Sequence, residues 1–115
     1  MNDYVGTLRY KDKDYPVVFN LNVMEEIQKE YTTLDAWAKL TDGAGGEPDA
    51  RAVIFGFTHM INEGLDMEAD ENGTDYTPIT PKKVGRMITE IGLANATKVM
   101  NDTVIESTKS VEKNV

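Results

Sequence analysis

The chain contains no cysteine, which excludes disulfide bonds and any reaction that depends on a thiol. It has a single histidine, His59, and it lacks both a glycine-rich phosphate loop and the ligand spacings of metal sites. No apolar run approaches the roughly 18 residues that a membrane span needs. These absences leave little from which to build a catalytic centre. We therefore expect a non-enzymatic binding protein without metal or cofactor.

Basic residues are in deficit, since 12 Lys and Arg stand against 20 Asp and Glu for a formal net charge of −8. Proteins that bind nucleic acid gain affinity when Lys and Arg replace the counterions on the phosphates, and anionic membranes favour the same charges. We expect neither as a direct partner. The acidic start of the sequence does not resemble a signal peptide, so a cytoplasmic location is expected.

Residues 4–19 predict a β-hairpin, because two segments rich in aromatic and β-branched residues flank the polar turn KDKD. Alternation puts Leu8, Val17 and Phe19 on the inward face. Pro16 has no backbone N–H to donate and suits a strand edge or a strand entry. Whether this hairpin pairs with a second copy, and with it the oligomeric state, is left open.

Helical periodicity then predicts about five short helices over residues 22–108. The predicted helix starts are a capping box of Asn22 with Glu25, the cap Thr33, the first-turn Pro48 and the pair Thr80-Pro81. The predicted ends are GAGG (43–46), Gly64 and Gly92. We expect one mainly α domain of the α+β class over residues 1–108, with 109–115 as a frayed polar tail.

The segment 63–79 is predicted to be a loop, because six acids and no base lie between Glu63 and Asp75. Glu68 and Asp70 imitate part of a calcium-binding loop. However, Ile79 stands where the bidentate glutamate of such a loop is required. A solvated acidic loop of undetermined role is therefore expected.

Methionines and aromatic residues fall on the predicted apolar stripes, which favours core packing. The alternative for Met24, Met60, Met87 and Met100 is a groove that adapts to helical segments of a partner. The alternative for Tyr31 with Trp37 is an anchor for a partner. His59 is interpreted as a structural or surface residue, because no partner for catalysis accompanies it.

The order of these segments resembles that of a known family. The hairpin, the block FNLNVMEEIQKEY and the turn LDAW carry most of the likeness, followed by AVIFGFTHMINEG, the acidic segment, ITPKKVGRMITEIG and the polar end VIESTKS. In this organisation the chain resembles the small tail assembly chaperones of long-tailed bacteriophages and of prophages in Gram-positive bacteria.

The resemblance implies a protein that binds the long helical tape measure protein, keeps it soluble and helps recruit the major tail protein. It also implies that the protein works in the cytoplasm of the bacterial host and is absent from the mature virion. Whether a frameshifted longer product exists is left open. Because the third helix has more apolar faces than one core contact requires, we expect a partner-binding groove between the third, fourth and fifth helices, formed by Phe55, Met87 and Met100.

Two alternatives are kept. The chain could be a small structural tail or head-completion protein that is retained in the virion. It could also be a prophage-encoded regulator that binds a host protein, for which an acidic surface would serve equally well.

Overall fold

The computed structural model describes residues 5–42 and 46–113, and within them a two-stranded antiparallel hairpin precedes five helices. The strands are β1 (Val5–Tyr10) and β2 (Lys13–Val18). The helices are α1 (Leu21–Tyr31), α2 (Leu34–Thr41), α3 (Ala50–Asn72), α4 (Pro81–Ile91) and α5 (Leu93–Lys113). The predicted fold class, mainly α with an N-terminal hairpin, is confirmed. Two of the helices are not short, since α3 has 23 residues and α5 has 21.

The hairpin turns through Lys11 and Asp12, whose φ angles are 49° and 62°. Positive φ at both central residues is the conformation whose twist matches that of the flanking strands. The register pairs Leu8 with Tyr15. Leu8, Val17 and Phe19 are buried as predicted. The hairpin contacts α3 mainly through β2 and α5 mainly through β1, so both helices cover its apolar residues.

Local capping signals explain where most helices begin. Thr33 caps α2 and Thr80 caps α4 with Pro81 in its first turn, as predicted. The predicted capping box at Asn22 is wrong, because the cap of α1 lies two residues earlier, at Asn20, whose side chain accepts the hydrogen bond from the Val23 N–H at 3.2 Å. The prediction that Pro48 lies in the first turn of α3 is also wrong, because the helix begins two residues later, at Ala50.

The cap of α3 is Asp49, whose carboxylate accepts a hydrogen bond from the Ala52 N–H at 2.9 Å. Helix α2 ends at Thr41 with Asp42 as its cap. Most of the GAGG segment predicted to end it, residues 43–45, lies outside the described residues.

The prediction of an acidic loop over 63–79 is wrong for its first half, because α3 continues to Asn72. Gly64 does not end the helix. It is buried against β2, where a Cβ atom would lie 2.8 Å from the ring of Pro16, so a glycine is needed for the hairpin to approach α3. The helix ends at Gly73 in the left-handed conformation, with φ of 65°.

The segment that follows α3 is extended and is held by one side chain. Asn62 of α3 accepts a hydrogen bond from the Ile79 N–H at 2.7 Å and donates one to the Ile79 carbonyl at 3.0 Å. This pair replaces the strand partner that an isolated extended segment lacks, and it places Thr80 to begin α4.

The core draws side chains from all seven elements. Its largest buried members include Leu8, Val17, Ile27, Trp37, Phe57, Met60, Met87 and Met100. Trp37 fills the contact between α2 and α3, and its indole N–H donates to the Ala52 carbonyl at 3.0 Å. Core packing, rather than a partner anchor, therefore accounts for Trp37.

Helix α5 continues to Lys113, beyond the predicted end at residue 108. Residues 109–113 of the predicted frayed tail are thus helical, and residues 114–115 lie outside the described residues. No helix among residues 5–42 and 46–113 combines the length and the apolarity that a bilayer crossing requires.

Candidate partner-binding groove

The three residues predicted to bind a partner do not form an exposed surface. Met87 and Met100 are 0% exposed and belong to the core, so a partner cannot reach either thioether without opening the fold. Phe55 is partly buried and packs edge-on against Tyr31 of α1, with their ring centroids 5.5 Å apart. A helical stripe of methionines has the same spacing whether it faces the core or a partner, which is why sequence periodicity misplaced these residues.

An open recess does exist between α3 and α4, beside the start of α5, and we call it the α3–α4 groove. One part of it, about 300 Å³ in volume, is lined by Ala50, Val53, Ile54, Gly85, Ile88, Thr89 and Leu93. An adjoining part is lined by Ile54, Pro81, Lys82, Gly85, Arg86, Thr89 and Glu90. The two parts share Ile54, Gly85 and Thr89. The predicted location between the third, fourth and fifth helices thus contains a groove, but different residues line it.

The floor of this groove is suited to an apolar ligand, because the polar group of Thr89 already has a hydrogen-bond partner within the chain. The hydroxyl of Thr89 donates to the Gly85 carbonyl at 2.8 Å, which leaves its methyl group to contact a ligand. Leu93, at the end of the groove, is 37% exposed, well above the exposure of the core. The floor therefore offers apolar surface without an unpaired side-chain hydroxyl.

Gly85 differs from the other glycines that lie inside helices of the described chain. A Cβ at Gly56 or at Gly64 would meet the Trp37 ring or the Pro16 ring at 2.5 Å and 2.8 Å. A Cβ at Gly85 would meet only the Ile54 Cδ1 atom, at 3.4 Å, which is ordinary van der Waals contact. Packing within the chain therefore explains the first two glycines and does not explain Gly85.

One rim of the groove is basic, in contrast to the rest of this acidic chain. Lys82 and Arg86 line it, and neither they nor the adjacent Lys83 forms an ion pair, hydrogen bond or cation–π contact with the described residues. Every other Lys and Arg side chain within residues 5–42 and 46–109 has a partner. These are Arg9 with Asp14, Lys29 with Glu26, Lys39 with Asp35, Arg51 with Glu30, Lys98 with Asp102, Lys109 with Glu106, and Lys11 and Lys13 over tyrosine rings. Among residues 5–42 and 46–109, the unpaired cations thus cluster on α4.

A second, acidic recess lies between α1 and α3. His59, Glu63, Asp66 and Tyr76 line it together with Asn22, Val23, Glu25, Glu26 and Asn62. Burial, followed by the carboxylates of Asp66 and Glu63, raises the pKa of the Tyr76 hydroxyl above its ordinary value. Glu63 itself is engaged in structure, because it accepts hydrogen bonds from the side-chain amides of Asn20 at 2.6 Å and Asn22 at 2.9 Å.

The acidic recess thus ties the start of α1 to α3. His59 lies against the Phe55 ring, with centroids 4.6 Å apart, and has no hydrogen-bond partner among the described residues that would position it as a base. Within the described residues, no three His, Asp or Glu side chains are arranged to hold a metal ion. Glu68 and Asp70 are exposed on the last turns of α3.

Sequence reasoning missed the residues that shape the groove, although one signal was available. Gly85 interrupts the stripe of α4, and a glycine inside a helix is destabilising relative to alanine. A glycine at such a position permits another group to approach the helix backbone closely. A scan against protein-family models and searches of curated proteins and of solved structures find no match to this chain.

Proposed function

We propose that this protein is a non-enzymatic tail assembly chaperone that binds the helical tape measure protein, keeps it soluble and helps recruit the major tail protein. The observation that carries the proposal is the α3–α4 groove, an open apolar recess with a rim of unpaired cations. The identity of the client comes from the sequence resemblance described above.

The physical properties of such a client suit a groove of this kind. A long amphipathic helical protein aggregates when its apolar stripe is exposed, and a helix-binding groove covers that stripe. A net charge of −8 on each bound chaperone gives the complex a charge that opposes association with other complexes. The chaperone then leaves as tail subunits take its place, so it is expected to be absent from the mature virion.

Co-expression with the tape measure protein of the same phage or prophage tests the proposal. The tape measure protein is expected in the soluble fraction, and to co-purify with this chain, only when the two are produced together. An unrelated acidic protein of similar size serves as the control for a general effect of charge. A tape measure protein that stays insoluble in both cases would refute the function.

Mass spectrometry of purified particles separates the chaperone from a structural protein. A chaperone is expected to be missing from the particles, whereas a tail or head-completion protein would be found in them at a fixed copy number. A host protein recovered with this chain in place of the tape measure protein would indicate the regulator. Either result would overturn the proposal.

A further inference from the structure

The shape of the α3–α4 groove indicates what secondary structure it takes. Its walls are two helices whose backbone groups are already paired, so an extended segment would find no open strand edge there. A third helix, by contrast, can lay side chains between two others. Helix α4 has 11 residues. It is therefore about 16 Å long, which is enough for roughly three turns of a bound helix.

Gly85 indicates how closely that helix approaches. The distance between packed helices depends on the side chains at their contact, and a glycine there permits the smallest separation. A Cβ at Gly85 would fit within the chain, so the absence of a side chain widens the middle of the groove. A small residue of the bound helix at this point would let its backbone pass directly over α4.

The charges on α4 indicate the polarity of the bound surface. Lys82, Arg86 and Glu90 follow one another at four-residue spacing and all line the groove, so the row reads positive, positive, negative. Lys82 and Arg86 have no partner among the described residues. A helix whose acidic side chains are one turn apart would pair with both cations. A third acid in the register of Glu90 would be repelled.

From these features we propose that the α3–α4 groove binds one amphipathic helix of the client, with a small residue against Gly85 and two acidic residues at four-residue spacing against Lys82 and Arg86. For the identity of the client this inference rests on the proposed function. It adds the form, length and charge pattern of the segment that is bound.

Two fluorescein-labelled peptides of about 14 residues test this proposal. A side-chain staple holds each peptide helical, because isolated helices of this length are only marginally stable in water. Both carry an alanine in the middle of a leucine stripe. One has two glutamates four residues apart beside that stripe, and the other has lysines at the same two positions. Fluorescence anisotropy at low salt should show the glutamate peptide binding about tenfold more tightly, since two exposed ion pairs are replaced by two repulsions. High salt should reduce the difference in affinity between the two peptides, because it screens exposed charges.

Variants of α4 assign the effect to the groove. The double variant Lys82→Glu with Arg86→Glu is expected to invert the preference, so that the lysine peptide binds more tightly. Lys83→Glu is the matched control, because Lys83 lies on the same helix and lines a different recess, with Tyr15 and Ile79. It should leave the preference unchanged. Gly85→Leu fills the groove and should abolish binding of both peptides, provided that its circular dichroism spectrum is that of the unsubstituted chain.

Equal affinity for the two peptides at low salt, or no inversion in the double variant, would overturn the inference. So would a dimer in sedimentation that Gly85→Leu converts to a monomer, because a second copy would then occupy the groove. The peptide assay and the co-expression experiment test the groove assignment and the proposed function independently. If the tape measure protein is solubilised and neither peptide binds, the function stands and the groove assignment is wrong. If the glutamate peptide binds as expected and the tape measure protein stays insoluble, the groove assignment stands with a different helical client.

Discussion

Replacing Gly64 and Gly85 separately by alanine should shift stability in opposite directions, although both glycines lie inside helices. Alanine is favoured over glycine in a helix interior by about 1 kcal/mol. At Gly64 the added methyl group would lie 2.8 Å from the ring and 3.1 Å from the carbonyl oxygen of Pro16. Neither the proline ring nor the backbone can rotate away, so the overpacking cost should lie near the upper end of its usual range, about 3 kcal/mol.

The expected net effect of Gly64→Ala is thus a loss of about 2 kcal/mol, the difference between the two contributions. At Gly85 the atom nearest to the added Cβ is the flexible Cδ1 of Ile54 at 3.4 Å, so only the difference in helix propensity contributes. The expected gain there is about 1 kcal/mol. For a domain of this size, a change of 1 kcal/mol moves the melting temperature by about 4 °C.

Urea unfolding followed by circular dichroism measures both effects. The midpoint should fall in Gly64→Ala and rise in Gly85→Ala, with an unchanged slope in each case. If both variants are stabilised equally, helix propensity alone governs the two sites and the hairpin does not press on α3 at Gly64. If Gly85→Ala is destabilised, other atoms of the chain fill the space beside Gly85, and the glycine does not indicate a groove.

Three further predictions concern polar side chains. Burial raises the pKa of Tyr31 and of Tyr76, so the folded chain keeps phenolic protons that the unfolded chain releases. Stability from these groups is therefore fully present below the unfolded pKa of about 10 and is lost as the pH rises through the folded values. Tyr31→Phe should reduce this alkaline loss in urea titrations at rising pH. It should also raise stability by up to about 1 kcal/mol, because the Tyr31 hydroxyl is buried without a partner among the described residues. Asn62→Ala leaves the Ile79 N–H and carbonyl unpaired and should cost about 2 kcal/mol, with faster hydrogen exchange of the Ile79 amide by NMR. Thr80→Ala removes the cap of α4 and should lower the urea midpoint by an amount equivalent to about 1 kcal/mol.

Each of these predictions has a result that contradicts it. A Tyr31→Phe variant less stable than the unsubstituted chain at neutral pH would mean that the hydroxyl has a partner. An Ile79 amide equally protected in Asn62→Ala would show that another group holds the extended segment. Thr80→Ser, which keeps the hydroxyl, is the control for the cap and should be close to neutral.

Local signals in the sequence were sufficient for most of the secondary structure. The hairpin followed from alternation around a polar turn, and the starts of α2 and α4 followed from Thr33 and from Thr80 with Pro81. These features depend on neighbouring residues alone, because a cap satisfies a backbone N–H only two or three positions away. Periodicity also indicated which residues share the apolar face of each helix, because that depends only on their spacing along the chain.

The candidate site was predictable only in its location. Periodicity placed Met87 and Met100 on apolar stripes, but it could not tell a stripe that faces the core from one that faces a groove. Phe55 was misjudged in the same way, because its neighbour Tyr31 comes from a helix distant in sequence. Lys82 and Arg86 are visible in the sequence only as basic residues four positions apart. That they lack partners depends on where every acidic side chain lies in three dimensions.

The sequence by itself determined most of the element types, the caps of α2 and α4 and the excess of acidic charge, all of which depend on composition and on contacts within a few residues. Tertiary structure decided the meaning of the glycines. Gly64 was predicted to end the helix and instead lies inside α3, where the Pro16 ring occupies the space that a side chain would take. Gly85 lies beside an open recess between α3 and α4, where the nearest atom to an added Cβ is the Ile54 Cδ1. The backbone freedom of the two glycines is the same, and only the atoms that packing brings near them distinguish a buried contact from an open groove.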